Sequence, residues 1–269
     1  MASNWDKIKE KYQNAEEEEE KRASLSRYAS LEFEYTIKHV SEYIKKNTAV
    51  IELGCGTGYY AMHFYNKCKE YIGIDIVPEN IDLFHKKIKD NNIKNVKALV
   101  GDATHLSEIS DQSFDVVLCF GPMYHLPPEE RELVFSECSR ICKYGGIAAF
   151  AYINKIGVYA GGCLHDQFKR YYPNEKANQF ILRLNRDDVN PDLFFFTMPE
   201  EMEKSAKRHG FSKMKNLGTD FFITMSIVNA MSNKKFEWMK PLLDQMTEYE
   251  SCTGMSNHAI LVCQKTVND

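Results

Sequence analysis

The chain has 269 residues, with 34 lysines and arginines against 38 aspartates and glutamates, for a formal charge of −4. That balance disfavours a dedicated nucleic-acid binder, which usually carries a basic face. No apolar run approaches the roughly 20 residues of a membrane span. The opening Met1-Ala2-Ser3-Asn4-Trp5-Asp6-Lys7 lacks an apolar signal core, so the chain reads as cytoplasmic with its eight cysteines reduced. Hydrophobic residues make up 43%, enough to bury a core. Cys138 and Cys142 stand four apart on a predicted helix, with no third partner because position 145 is Gly. They read as buried apolar side chains, and no metal site is expected.

The first 47 residues read as helical and include five consecutive glutamates, Glu16 to Glu20, taken as a solvated face or a mobile arm. Phe33, Ile37, Val40 and Ile44 recur at helical spacing, predicting a helix over about residues 30–46 that packs one face. From Thr48, short apolar runs at 49–53, 71–74, 96–100, 114–119 and 147–152 alternate with helical patterns. One such helix carries Ile81, Phe84 and Ile88. Another carries Val134, Cys138 and Ile141 and is expected to stop at Gly145-Gly146. This alternation predicts an α/β doubly wound sheet, whose ligand lies at the carboxyl ends of the strands where the strand order switches. Closing strands are expected at about 213–217 and 258–263. The domain plan is a helical segment 1–47 covering the ligand site and a sheet domain 48–269. Insertions at about 154–198 and 219–256 are expected to cap the carboxyl edge.

The first strand ends in Glu52-Leu53-Gly54-Cys55-Gly56-Thr57-Gly58. Glycines at alternate positions between strand and helix let the backbone turn tightly and approach a ligand with no Cβ in the way. The next strand ends in Asp75, 21 residues after Gly54, the place of an acidic side chain that receives ribose hydroxyls. A dinucleotide fingerprint would need its third glycine where Tyr59 stands, and a P-loop would need Lys-Ser or Lys-Thr after the glycines. What remains is a small adenosine-containing ligand with a compact tail.

With Gly73-Ile74-Asp75-Ile76, Gly101-Asp102-Ala103 and the run from Phe114 to His125, the chain resembles the class I S-adenosylmethionine-dependent methyltransferases over about residues 30–155. The resemblance implies a seven-stranded Rossmann-like sheet, S-adenosyl-L-methionine as cofactor and S-adenosyl-L-homocysteine as product. It implies that Gly54, Cys55 and Gly56 cradle the methionine end, with Glu52 bracing the loop. Asp75 would accept from both ribose hydroxyls and Ile76 would lie against the adenine. Asp102 would accept from the adenine amino group, the Ala103 amide would donate to the ring, and Phe120 would border the sulfonium. The methionine carboxylate needs a further donor, for which Arg27, with Tyr28, is the candidate.

Tyr124 and His125 stand where an acceptor approaches the sulfonium, as candidates for a general base or for orienting the nucleophile. Enzymes that methylate exocyclic base amines resemble Asn-Pro-Pro-Tyr or Asp-Pro-Pro-Tyr at this motif. Here the residues are Gly121-Pro122-Met123-Tyr124, without the polar acceptor. That departure disfavours nucleic acid as a partner. A small-molecule oxygen, nitrogen or carbon nucleophile is the expected acceptor, and the protein a monomer or homodimer. Aromatic residues beyond position 150, among them Tyr171, Tyr172, Phe194, Phe222, Phe236 and Trp238, read for the most part as core between the insertions, the alternative being the wall of a pocket for a small organic acceptor or a cationic amine. RNA or protein methylation, and a non-catalytic S-adenosylmethionine-binding module, stay open as alternatives.

Overall fold

The computed structural model describes residues 4–13, 15–164, 194–221 and 224–267. Its centre is β1 (Ala49–Leu53), every residue of which is buried. Burial on both faces is what a continuous Ala-Val-Ile-Glu-Leu run favours in a parallel sheet covered by helices on each side. β1 pairs in parallel with β2 (Glu70–Asp75) on one flank and β4 (Phe114–Cys119) on the other. β3 (Val96–Val100) extends the first flank, and β5 (Cys142–Ile153) the second. The seven-stranded order is β3-β2-β1-β4-β5-β7-β6, so it reverses between β1 and β4. β7 (His258–Lys265) runs antiparallel between β5 and β6 (Phe211–Gly218). β7 is the one strand of the sheet that runs against the others.

Period-two alternation sorts the strand side chains onto two faces. Ile51, Leu53, Val117 and Cys119 meet α7 (Pro128–Ile141) through Val134, Phe135 and Cys138. Val50, Val116 and Leu118 face the other way. There they meet Phe33 of α3 (Arg27–Ser41), Phe64 of α4 (Tyr59–Phe64) and Phe84 of α5 (Pro78–Asp90). Each fully buried aliphatic or phenyl side chain contributes about 1.5–3 kcal/mol, which fixes the sheet against both layers. Cys138 and Cys142 lie in this core.

Helix α7 ends at Ile141, and Cys142 is already extended at φ −73° and ψ 134°, so β5 begins without a loop. This corrects the expected stop at Gly145-Gly146, which lies inside the strand. Residues 165–193, with Tyr171 and Tyr172, lie outside the described residues, as does Phe222. The second insertion supplies α8 (Met225–Ala230) and α9 (Asn233–Met246). Val228 and Leu243 from these helices pack on Tyr28, Leu31 and Tyr35, along the outer side of α3. No helix among the described residues is long and apolar enough to cross a membrane.

Candidate active site

At the end of β1 the amides of Gly54 and Cys55 both donate to the Ile74 carbonyl, at 2.8 and 3.1 Å, which pins the turn onto β2. Gly54 has φ +76°, and a Cβ there would sit 2.8 Å from Gly121 Cα and 2.7 Å from Pro122 Cδ. Only glycine lets the turn after β1 touch the turn after β4. Gly58, at φ +83°, gives up its Cβ space to the Phe84 ring, so the loop closes on α5 as well.

Asp75 faces this loop from the end of β2. Its Oδ2 accepts from the Gly56 amide at 2.8 Å and its Oδ1 from the Val77 amide at 2.9 Å. Burial raises its carboxyl above the ordinary value, and the Val77 and Gly56 amides pull against that rise. Each carboxylate oxygen retains accepting capacity for an incoming hydroxyl. Burial lifts Glu52 to about 8, although the Tyr71 hydroxyl donates to it at 2.6 Å. Glu52 is therefore largely protonated at neutral pH and braces β1 against β2.

A cavity opens over this corner, with Gly54, Gly56, Asp75, Ile76 and Ala103 on one wall and Phe120, Tyr124 and His125 at the end of β4. Cys55 and Glu52 also reach it. The opposite wall comes from the N-terminal residues Ile8, Tyr12, Glu19 and Arg22, and from Glu32 and Phe33 of α3. Ile8 and Tyr12 belong to α1 (Asn4–Tyr12) and Glu19 to α2 (Glu16–Lys21). The Tyr12 hydroxyl lies 3.1 Å from His125 Nε2. Glu20 accepts from the Thr57 hydroxyl at 2.7 Å and pairs with Lys87. Glu17 and Glu18 are exposed, in keeping with a solvated face, while Glu19 is half-buried in the wall and the exposed Glu20 reaches Thr57 and Lys87, which corrects that reading for these two.

Arg22 stands in this wall, 3.6 Å from Glu19, 3.9 Å from Glu32 and 4.9 Å from the Phe33 ring centre. Burial opposes its charge, and Glu32, Tyr124 and Glu19 outweigh that opposition. Its Nε is buried without a hydrogen-bond partner, as is Oδ1 of Asn80, another wall residue. Glu32 continues to His258 at 3.9 Å, and His258 Nδ1 lies 2.9 Å from Asp220.

Two of the expected cofactor residues, Arg27 and Asp102, do not line the cavity. Arg27 is remote from the cavity, donating to the carbonyls of Val228 and Met231 at 2.9 and 2.8 Å and to Asn233 at 2.6 Å. Its planar fork ties α3 to the second insertion, and Phe236 lies under it. Asp102 is not part of the cavity wall, although its neighbours Gly101 and Ala103 are. Its Oδ1 accepts from the Thr104 amide and hydroxyl, both at 2.7 Å. Of the aromatic set, Phe194 approaches the site, 5.0 Å from the His125 ring, while Trp238 is 74% exposed.

This chain is similar to proteins of known family. An uncharacterized methyltransferase of Schizosaccharomyces pombe is 26% identical over 136 residues, covering 48% of this chain and 47% of that protein. A ubiquinone biosynthesis O-methyltransferase of Neisseria meningitidis is 27% identical over 175 residues, covering 65% and 68%. The chain thus spans about half the length of the first relative and about two thirds of the second. A chain in the complex of the Haloferax volcanii Trm112 methyltransferase activator with a putative methyltransferase shares the fold. Its TM-score is 0.62 over 99% of both chains, at 15% identity. The methyltransferase-domain family model matches residues 50–146, the stretch that holds the glycine loop, Asp75 and the end of β4. Residues 50–146 thus carry a methyltransferase domain.

The sheet side of the site is built from residues the motifs single out. The covering side is built from residues they do not. Arg22, Glu19 and Tyr12 carried no local signal beyond charge and helical texture. Glu32 had one, since it neighbours Phe33 at the edge of the apolar stripe of α3, where a buried helix face meets its polar rim.

Proposed function

We propose that the protein transfers the methyl group of S-adenosyl-L-methionine to an oxygen, nitrogen or carbon nucleophile of a small molecule, releasing S-adenosyl-L-homocysteine. The observation that carries this reading is the juxtaposition, in one cavity, of the glycine turn, Asp75 and the end of β4. The cavity fits the cofactor. A Cβ at Gly56 would meet no protein atom within 4 Å, so the loop backbone is open to the cavity there, and two buried polar atoms, Arg22 Nε and Asn80 Oδ1, lack partners.

Gly54, Cys55 and Gly56 hold the methionine end, and Asp75 accepts from the ribose hydroxyls with the lone pairs its amide partners leave. Ile76 and Ala103 flank the adenine. Arg22 takes the carboxylate role, being the one arginine or lysine in the wall among the described residues. When bound, the cofactor supplies an electrophilic methyl carbon on a cationic sulfur. Phe120, Tyr124 and His125 then bound the space in which the nucleophile lines up behind that carbon. Alignment in a closed space contributes much of the acceleration of an in-line displacement. Tyr124 and His125 orient the nucleophile or take its proton. The Tyr12 wall keeps water from the reacting atoms.

The test is an assay of the purified protein with S-adenosylmethionine and a metabolite extract, read by mass spectrometry. Release of S-adenosylhomocysteine together with a new species about 14 Da heavier, a methyl group in place of a hydrogen, supports the reading. Tight cofactor binding with no product from the extract supports a binding module instead.

A further inference from the structure

The acidic run and the wall it supplies suggest which molecule is methylated, an inference that rests on the methyl-transfer reading above. The cavity wall carries Glu19, Glu32 and Asp75 as acids beside the largely protonated Glu52, against the single cation Arg22 among the described arginines and lysines. An anionic acceptor would compete for Arg22 with the cofactor's own carboxylate. Glu32 has a second cation in His258, at 3.9 Å. Burial opposes the imidazolium, but Glu32 and Asp220 overcome it and hold His258 at about 9, so it is charged at neutral pH. Glu19 has no such reserve inside the wall. Its ion pair is with Arg22, at 3.6 Å, while Lys11, outside the wall, attracts it more weakly and lies over the Phe194 ring, 4.2 Å from its centre. When Arg22 turns to the cofactor carboxylate, Glu19 is left in a partly closed space needing a positive partner. Tyr12 and Tyr124 line the same cavity, and both feel the Glu19 charge. A carboxylate that shares a cavity with electron-rich rings is complementary to a cation.

We propose that the acceptor is a cationic amine, its ammonium paired with Glu19 between Tyr12 and Tyr124, and that it is methylated on that nitrogen. The ammonium proton passes to the Glu19 carboxylate, freeing the nitrogen lone pair. The nitrogen forms its bond to the methyl carbon as the carbon–sulfur bond breaks, and that bond's electron pair stays on sulfur. The methylated nitrogen carries the positive charge that the sulfur has lost. Two effects favour the proton shift. Burial raises the Glu19 carboxyl, against the pull of Arg22. A neighbouring cation lowers the basicity of the amine.

The experiment separates a metabolite extract on a cation exchanger at neutral pH and incubates each fraction with the full chain and methyl-tritiated S-adenosylmethionine. Label transfer to a compound of the retained, cationic fraction, with the product still retained, is the expected result. For that compound Glu19→Gln lowers kcat/KM by about a hundredfold, the scale of losing one partner of a desolvated charge pair. S-adenosylhomocysteine affinity by calorimetry stays within about threefold, because the substitution keeps the shape of the wall. Transfer confined to the unretained neutral and anionic fraction overturns the amine assignment and leaves methyl transfer standing. Transfer to the cationic compound at an unchanged rate in Glu19→Gln overturns the role of Glu19. No S-adenosylhomocysteine from any fraction overturns both readings.

Discussion

The Tyr12 hydroxyl lies 3.1 Å from Nε2 of His125, with the two rings nearly perpendicular at 80° and their centres 5.4 Å apart. The contact joins the first helix to the end of β4 across more than a hundred residues of sequence. It fastens the covering wall to the part of the sheet nearest the reacting atoms. Removing the hydroxyl costs about 1 kcal/mol, the usual net value of such a bond. Tyr12→Phe is therefore expected to speed hydrogen exchange of the α1 amides about fivefold, by mass spectrometry, while the amides of β1 and β4 keep their protection.

The two arginines make opposite expectations. Arg22→Ala removes the cation of the cavity wall, so S-adenosylhomocysteine affinity by calorimetry falls at least about tenfold, in line with about 1.5–3 kcal/mol for a bond to a charged group. Arg27→Ala leaves that affinity unchanged. It loosens α3 from α8 and α9 by deleting three donated bonds, and thermal unfolding shifts down by several degrees. The reverse pattern would return the carboxylate role to Arg27.

Gly54→Ala is expected to disable both fold and site. The new methyl group would face Gly121 and Pro122 at 2.8 and 2.7 Å, from a residue held at φ +76°. Backbone strain and overpacking together cost about 2–4 kcal/mol. Urea unfolding measures that loss directly.

The sheet side of the site was legible in the sequence because its information is local. Gly54, Gly56 and Asp75 sit at strand ends, and the spacing between them follows from the βαβ unit. The covering side depends on tertiary contacts. Glu19 and Glu20 read as solvated charge until α2 is placed beside Thr57 and Lys87, and Arg22 is only the residue that closes the run. Arg27 looked suitable because it stands just before the apolar stripe of its helix, but helix α3 turns it toward a partner some two hundred positions later in the sequence. Asp102 fitted its motif, yet the turn it caps draws one carboxylate oxygen to Thr104. The end of α7 was misplaced because glycine pairs usually stop helices, and here the strand pairing of Cys142 with Phe114 takes over first.

His258 sets a pH dependence of known sign. Burial works against its charge, but Glu32 and Asp220 raise it from 6.5 to about 9. Between those values the folded chain binds the proton and the unfolded chain does not. The stabilisation is complete below about pH 6.5 and is lost as pH rises through about 9. Wild type should lose up to about 3 kcal/mol of this contribution between pH 6 and 10, from the size of the shift. His258→Gln should lack that part of the slope in urea titrations at the two ends of the range.

The central claim is that the corner between β1, β2 and β4 holds the cofactor, and calorimetric titration of the full chain with S-adenosylhomocysteine tests it most directly. One site per chain is expected for wild type. Asp75→Ala should bind at least about thirtyfold more weakly, as loss of charge-assisted bonds to the ribose requires. No binding to wild type, or equal affinity in the Asp75→Ala protein, would contradict the assignment.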